Sequence, residues 1–187
     1  ITGIETININ SVGKTGADNT IELDAADAKS VVITGNTKLT IEVDDTTKLG
    51  GGVAATDTNG LGVSTIDASK STAGITIAAA DFEDITTAYS GLTIKGGAGA
   101  DSIKTGNTTA NALTIETGAG NDEIDLTSTT LTTATATPTD KIIVNAGAGD
   151  DEIIVGLTGG TFTLGTGKDT IDVTDAAVVA AGISVAT

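Results

Sequence analysis

Cysteine, histidine, arginine, tryptophan and methionine are all missing from this 187-residue chain, and proline occurs once, at Pro138. Without thiol or imidazole there is no disulfide, no zinc site of the Cys/His type, and no thiolate or imidazole catalysis. Without arginine there is no bidentate fork for phosphate, and nine lysines stand against 25 acidic residues. The net charge of −16 therefore argues against nucleic acid as a partner, and against an anionic membrane surface unless a cation bridges the two. The apolar run at residues 176–181 is far too short to span a bilayer, so no direct membrane insertion is expected. Large rings are scarce as well, with only Phe82, Tyr89 and Phe162. Layered domains of this length normally fill their cores with several aromatics. The interior expected here is narrow and built from Ile, Val, Leu and Ala.

What the chain does have is repetition. Four stretches share the skeleton x-G-x-G-x-D-x-I, at residues 96–103, 117–124, 146–153 and 164–171. Alternating glycines free the backbone to turn carbonyl oxygens inward, and the Asp adds a charged oxygen. The Ile two residues later starts a buried strand. This is the layout of a hard-cation loop joined to a β-rung. Magnesium demands tighter octahedral geometry and keeps its waters, so calcium is the expected cation.

Short β-prone runs recur along the whole chain. They lie at residues 4–9, 20–23, 31–34, 39–43, 63–66, 75–77, 92–94, 113–115, 123–126, 141–144, 152–155, 161–164 and 170–173. Helical periodicity is absent, apart from a single turn that could form at residues 81–88 or 175–181. The triplet apolar-Thr-Ile appears at Leu39, Ile75, Leu92 and Leu113, in steps of 36, 17 and 21. Those steps suggest a unit near 18 residues, once doubled. Strand, turn, strand and turn in that length is one coil of a flat two-sheet solenoid. The expected fold is therefore all-β, a right-handed parallel β-roll or β-helix.

The motif aspartates, Asp101, Asp122, Asp151 and Asp169, are spaced by 21, 29 and 18 residues. One coil per step places them on a single edge, one rung apart, with the Thr-rich stretch 127–139 bulging outward to absorb the long step. Each loop offers about half of the six to eight oxygens that calcium takes, and two loops about 4.8 Å apart complete the shell. Three enclosed sites are expected: Asp101 with Asp122, Asp122 with Asp151, and Asp151 with Asp169. Residues 1–90 show similar strand spacing without good Gly loops. They read as more solenoid, or as a β-rich domain packed on it, with a boundary near residue 90 and the cation-binding roll at 91–187.

The loops resemble the nonapeptide repeats of the RTX family, G-G-x-G-x-D-x-U-x with U a large apolar residue. Residues 96–104 match in full, while Thr117, Ala146 and Leu164 replace the first Gly of the other three. The resemblance covers residues 92–173. It implies a calcium-loaded parallel β-roll, secretion by a one-step type I route in a Gram-negative bacterium, and folding outside the cell. It also implies ligation through Gly97, Ala98, Gly99 and Asp101; Gly118, Ala119, Gly120 and Asp122; Gly147, Ala148, Gly149 and Asp151; and Gly165, Thr166, Gly167 and Asp169. Lys168 places a cation at the last of these loops.

The sparse loops in Thr/Ala/Gly-rich sequence, with runs such as residues 3–8 and 66–71, are similar to RTX-type surface-layer proteins. A structural segment of a secreted, cell-surface lattice is then expected, with copies of itself as partners. A calcium-stiffened spacer or binding region of a large RTX adhesin or toxin is the alternative. The chain opens on Ile1 in a strand-like run and is expected to be a segment of a longer protein. Paired carboxylates at 44–45, 83–84 and 150–151 read as solvated or metal-bound, and no enzyme activity is expected.

Overall fold

The computed structural model describes residues 5–14, 16–23, 28–43, 63–78, 92–105, 108–110, 112–131, 141–156, 160–173 and 183–186. Among these residues there are strands and turns, with no helix. One sheet holds eight strands: β1 (Thr6–Ser11), β3 (Ser30–Gly35), β5 (Thr65–Ser71), β7 (Leu92–Lys95), β10 (Ala112–Glu116), β13 (Lys141–Asn145), β15 (Gly160–Thr163) and β17 (Ile183–Ala186). A second sheet holds seven: β2 (Asp18–Leu23), β4 (Lys38–Val43), β6 (Ile75–Ile77), β8 (Ser102–Lys104), β11 (Glu123–Leu126), β14 (Glu152–Val155) and β16 (Thr170–Val173). The chain alternates between the two sheets and every pairing is parallel. The fold is a parallel β-solenoid.

The period-2 pattern of each strand explains the core. In β7 the burial alternates as Leu92 in, Thr93 out, Ile94 in and Lys95 out. Register then stacks like on like. Ile66, Ile94, Ile115, Val144 and Phe162 form one inward row. Ile41, Ile77, Ile103, Ile124 and Ile153 form the facing row. All ten are buried. Each such side chain stabilises the fold by roughly 1.5–3 kcal/mol through area removed from water, and β-branched Ile and Val suit the pleated surface. Phe162 is the largest buried side chain among the described residues.

The register corrects the coil length read from the triplets. Leu39 pairs directly with Ile75, so the step of 36 is one long coil and not two. Leu92 lies on the other sheet from Ile75, so the step of 17 is a half-coil crossing. The triplet recurs because both sheets need an apolar-polar-apolar strand, and sequence periodicity does not tell the sheets apart. Among the described strands, eighteen residues is the length of one coil, where Ile153 pairs with Ile171 and Val144 with Phe162.

Both sheets run without a break past residue 90, through the pairs β5–β7 and β6–β8. The Thr-rich stretch opens with β12 (Thr129–Leu131), which pairs in parallel with β9 (Thr108–Ala110) as a short third sheet. The turns opposite the glycine loops therefore stack as well, at least in these two coils. The single helical turns considered at 81–88 and 175–181 lie outside the described residues, as does the rest of the Thr-rich stretch from residue 132 to 139.

Candidate metal centre

The four glycine loops lie on one edge, where the chain passes from the first sheet to the second. Main-chain bonds tie each to the next. Ala119 N–H donates to the Gly97 carbonyl at 3.2 Å, Ala148 N–H to Gly118 at 2.9 Å, and Thr166 N–H to Gly147 at 2.9 Å. Bonds also run the other way, from Gly120 N–H to Ala148 and from Gly149 N–H to Thr166. The column anticipated from spacing is thus present.

Two glycines per loop make this stacking possible in the upper three loops. Gly118, Gly147 and Gly165 have φ of 102°, 100° and 93°, and Gly120, Gly149 and Gly167 have φ of 135°, 141° and 144°. L-residues rarely adopt these angles. Space forbids a side chain too, since a Cβ on Gly149 would stand 1.7 Å from the Gly120 carbonyl oxygen.

The motif aspartates point inward and form a ladder. Asp122 Oδ1 accepts from Asp101 N–H at 2.8 Å, Asp151 Oδ1 from Asp122 N–H at 3.0 Å, and Asp169 Oδ1 from Asp151 N–H at 3.1 Å. At the foot, Asp101 Oδ1 accepts from Ile75 N–H at 2.7 Å. Asp101, Asp122 and Asp151 are each only 2% exposed, whereas Asp169 is half-buried. The second carboxylate oxygens of Asp122 and Asp151 have no hydrogen-bond partner, since the Thr117 hydroxyl, which lies near enough to Asp122 to act against the rise in its pKa, is donated to the Ala146 carbonyl at 2.7 Å. A buried polar atom left in this state costs about 1–3 kcal/mol, and more when charged.

Burial raises the pKa of all three inner aspartates. Asp101 is pushed up to about 7, mainly by burial and further by the neighbouring Asp122 charge, against the hydrogen bonds from Ile75 and Gly97. Burial likewise raises Asp122 and Asp151, and for Asp151 the charges of Asp122, Asp169 and Asp150 add to it. Asp125 behaves in the opposite way. Burial acts to raise it, but the Lys104 ammonium at 2.7 Å and the Thr127 hydroxyl and amide hold it below the usual range.

Among the described residues no three acidic side chains gather closely enough to hold an ion by themselves. Any cation in this column would draw most of its oxygens from the main chain. Several loop carbonyls already accept one inter-coil bond, and a carbonyl keeps a second lone pair. The donor set consists of orphaned carboxylate oxygens and stacked carbonyls, all oxygen and all hard. It fits calcium better than any softer metal.

Asp101 differs from the aspartates above it. Its Oδ2 accepts from Gly97 N–H at 3.1 Å, so both of its oxygens are satisfied. Gly97 and Gly99 do not share the positive φ of the upper glycines. The loop closest to the repeat consensus is therefore the one whose geometry departs from the others. The last loop, with Lys168, keeps the common backbone.

Two further features have little or no signature in the sequence. Thr117, in the place of a consensus Gly, donates its hydroxyl to the Ala146 carbonyl at 2.7 Å. An outer ladder also runs along the turn tips, from Asp150 N–H to Asn121 Oδ1 and from Lys168 N–H to Asp150 Oδ1. The only signal for it in the sequence is a side chain with an amide or carboxylate oxygen just before the motif Asp.

Comparison with family models, with curated proteins and with solved structures returned no match. The fold and the edge together define a class: a parallel β-solenoid with a stacked Gly/Asp column on one side.

Proposed function

We propose that this chain is a structural calcium-binding segment of a secreted bacterial surface-layer protein, which folds and assembles on binding calcium outside the cell. The observation that carries the reading is the pair of orphaned, fully buried oxygens on Asp122 and Asp151 in a column of stacked carbonyls. A bare column of inward carboxylates repels itself and leaves oxygens unpaired. A divalent cation between rungs removes both penalties at once. Asp122, Asp151 and Asp169 supply the carboxylates, and Gly118, Ala119, Gly120, Gly147, Ala148, Gly149, Gly165, Thr166 and Gly167 the candidate carbonyls.

Binding that requires the stacked loops is linked to folding, because the unfolded chain presents no such site. Extracellular modules commonly bind calcium at about 10⁻⁴–10⁻³ M, so the solenoid orders on leaving a low-calcium compartment. The surplus of acidic charge supports the same switch, since repulsion opposes the compact state until cations neutralise it.

Circular dichroism with calcium and with EDTA tests the folding claim, with loss of β signal in chelator expected. A fully β spectrum in EDTA contradicts it. Imaging the calcium-loaded chain tests assembly. Ordered sheets support the lattice, and calcium-bound monomers at every concentration shift the assignment to a stiff spacer of an adhesin or toxin.

A further inference from the structure

Asp101 stands apart from the two buried aspartates above it, Asp122 and Asp151. Asp101 has two backbone donors, Ile75 N–H and Gly97 N–H, one on each oxygen. Asp122 and Asp151 each keep an oxygen with none.

The difference traces to Gly96. A Cβ there would lie 2.0 Å from Asp101 Oδ2, so only glycine lets that oxygen settle against the loop backbone. Thr117 and Ala146 stand at the equivalent positions above and carry the Cβ that Gly96 lacks. Along the loop tips, paired backbone bridges join Ala119 to Ala148 and Ala148 to Thr166, whereas the first loop is tied to its neighbours by single bonds, from Ala119 N–H to Gly97 and from Ala98 N–H to Ser71.

Below Asp101 the column changes character. The residue in register beneath it is Ile75, and beneath that Leu39, both buried and apolar. Neither offers a side-chain oxygen to an ion. Two N–H dipoles aimed at the Asp101 carboxylate present positive charge where a cation would have to sit, and these charge-assisted bonds are strong.

We infer that Asp101 is the cap of the column and not a cation ligand, and that it divides the solenoid into lower coils that fold without cation and upper coils that need it. The lower set comprises β1–β8. The upper set is built on β10/β11, β13/β14 and β15/β16. This inference rests on the calcium reading above and refines where that calcium acts.

Hydrogen exchange of the whole chain, in calcium and in EDTA, reads both sets in one experiment. Chelation should leave peptides covering residues 5–43, 63–78 and 92–105 protected, and expose those covering 112–131, 141–156 and 160–173. Calorimetric titration with calcium alone adds the second arm. D101N should keep the wild-type stoichiometry with a Kd within about threefold, and D122N should lose at least one ion.

Equal opening of both sets in EDTA overturns the division, as does equal protection of both. An ion lost from D101N overturns the cap assignment while leaving the calcium reading intact. A wild-type chain that binds no calcium removes both. Should D101N fail to fold, the exchange arm on the wild-type chain decides.

Discussion

Asp151 reaches across one coil to accept the backbone N–H of Asp122 with Oδ1 at 3.0 Å, while its Oδ2 is buried with no partner. Asp122 bears the same relation to Asp101. One oxygen of each carboxylate thus fixes the register of the coil below, and the other is buried without a hydrogen-bond partner. On the calcium reading proposed above, the same side chain serves stacking and binding, so the two are expected to rise and fall together.

Replacing Asp122 by Ala removes the bond to Asp101 N–H and a carboxylate flanked by two loops. Calcium affinity should fall by at least tenfold, a change of about 1.4 kcal/mol in binding. D169A, at a half-buried position, should cost less. Calorimetry on the two variants gives the order, and equal losses would count against the column.

Gly149→Ala should be among the most damaging glycine substitutions. Its φ of 141° costs an L-residue about 1–3 kcal/mol by itself, and the added Cβ meets the Gly120 carbonyl at 1.7 Å. Gly16 is the control, with a φ of 80° and nothing within 4 Å of its Cβ position. Thermal denaturation in calcium should show a larger drop for G149A than for G16A, which carries the backbone strain without the clash.

The pH dependence of the calcium-free chain follows from the raised pKa values. Asp101 in the folded state titrates at about 7 against an ordinary 3.8, so the folded chain holds more protons between those values. Stability then rises as pH falls from about 7 toward about 4, and is lost as pH rises through 7. Asp122 and Asp151 shift in the same direction. Melting temperature in EDTA should be higher at pH 5 than at pH 8. Saturating calcium should weaken or reverse the trend, because bound ions favour the charged carboxylates. An EDTA profile that is flat or opposite in slope refutes the assignment of buried, cation-free aspartates.

Phe162→Ala tests the core independently of the loops. Removing a fully buried Phe costs about 3–5 kcal/mol, and this ring stacks in register on the buried Val144 in a narrow interior. Unfolding in denaturant should show that loss with calcium present. A change below about 1 kcal/mol would mean that the interior closes around the gap.

Much of the solenoid was legible because period-2 alternation and turn glycines are local signals. Ile94 and Ile115, or Ile124 and Ile153, advertise inward rows without any tertiary information. The pairing of Leu39 with Ile75 was not legible, since an excursion of any length can separate two strands that neighbour each other. Strands β9, β12 and β17 were missed because Thr108–Ala110, Thr129–Leu131 and Ile183–Ala186 are short and their sequences read equally well as loop. At the site, spacing showed the column but not its polarity. That Asp101 is satisfied while Asp122 is not depends on one missing methyl at Gly96 and on Ile75 beneath, a contact between residues 26 apart.

The most direct test is calorimetric titration of calcium into the chelator-stripped chain at neutral pH, with magnesium as the comparison. The account predicts saturable binding of at least two ions, centred on the free oxygens of Asp122 and Asp151, with a Kd of about 10⁻⁴–10⁻³ M and weak or no response to magnesium. A chain that keeps its β-structure and takes up no calcium would contradict it.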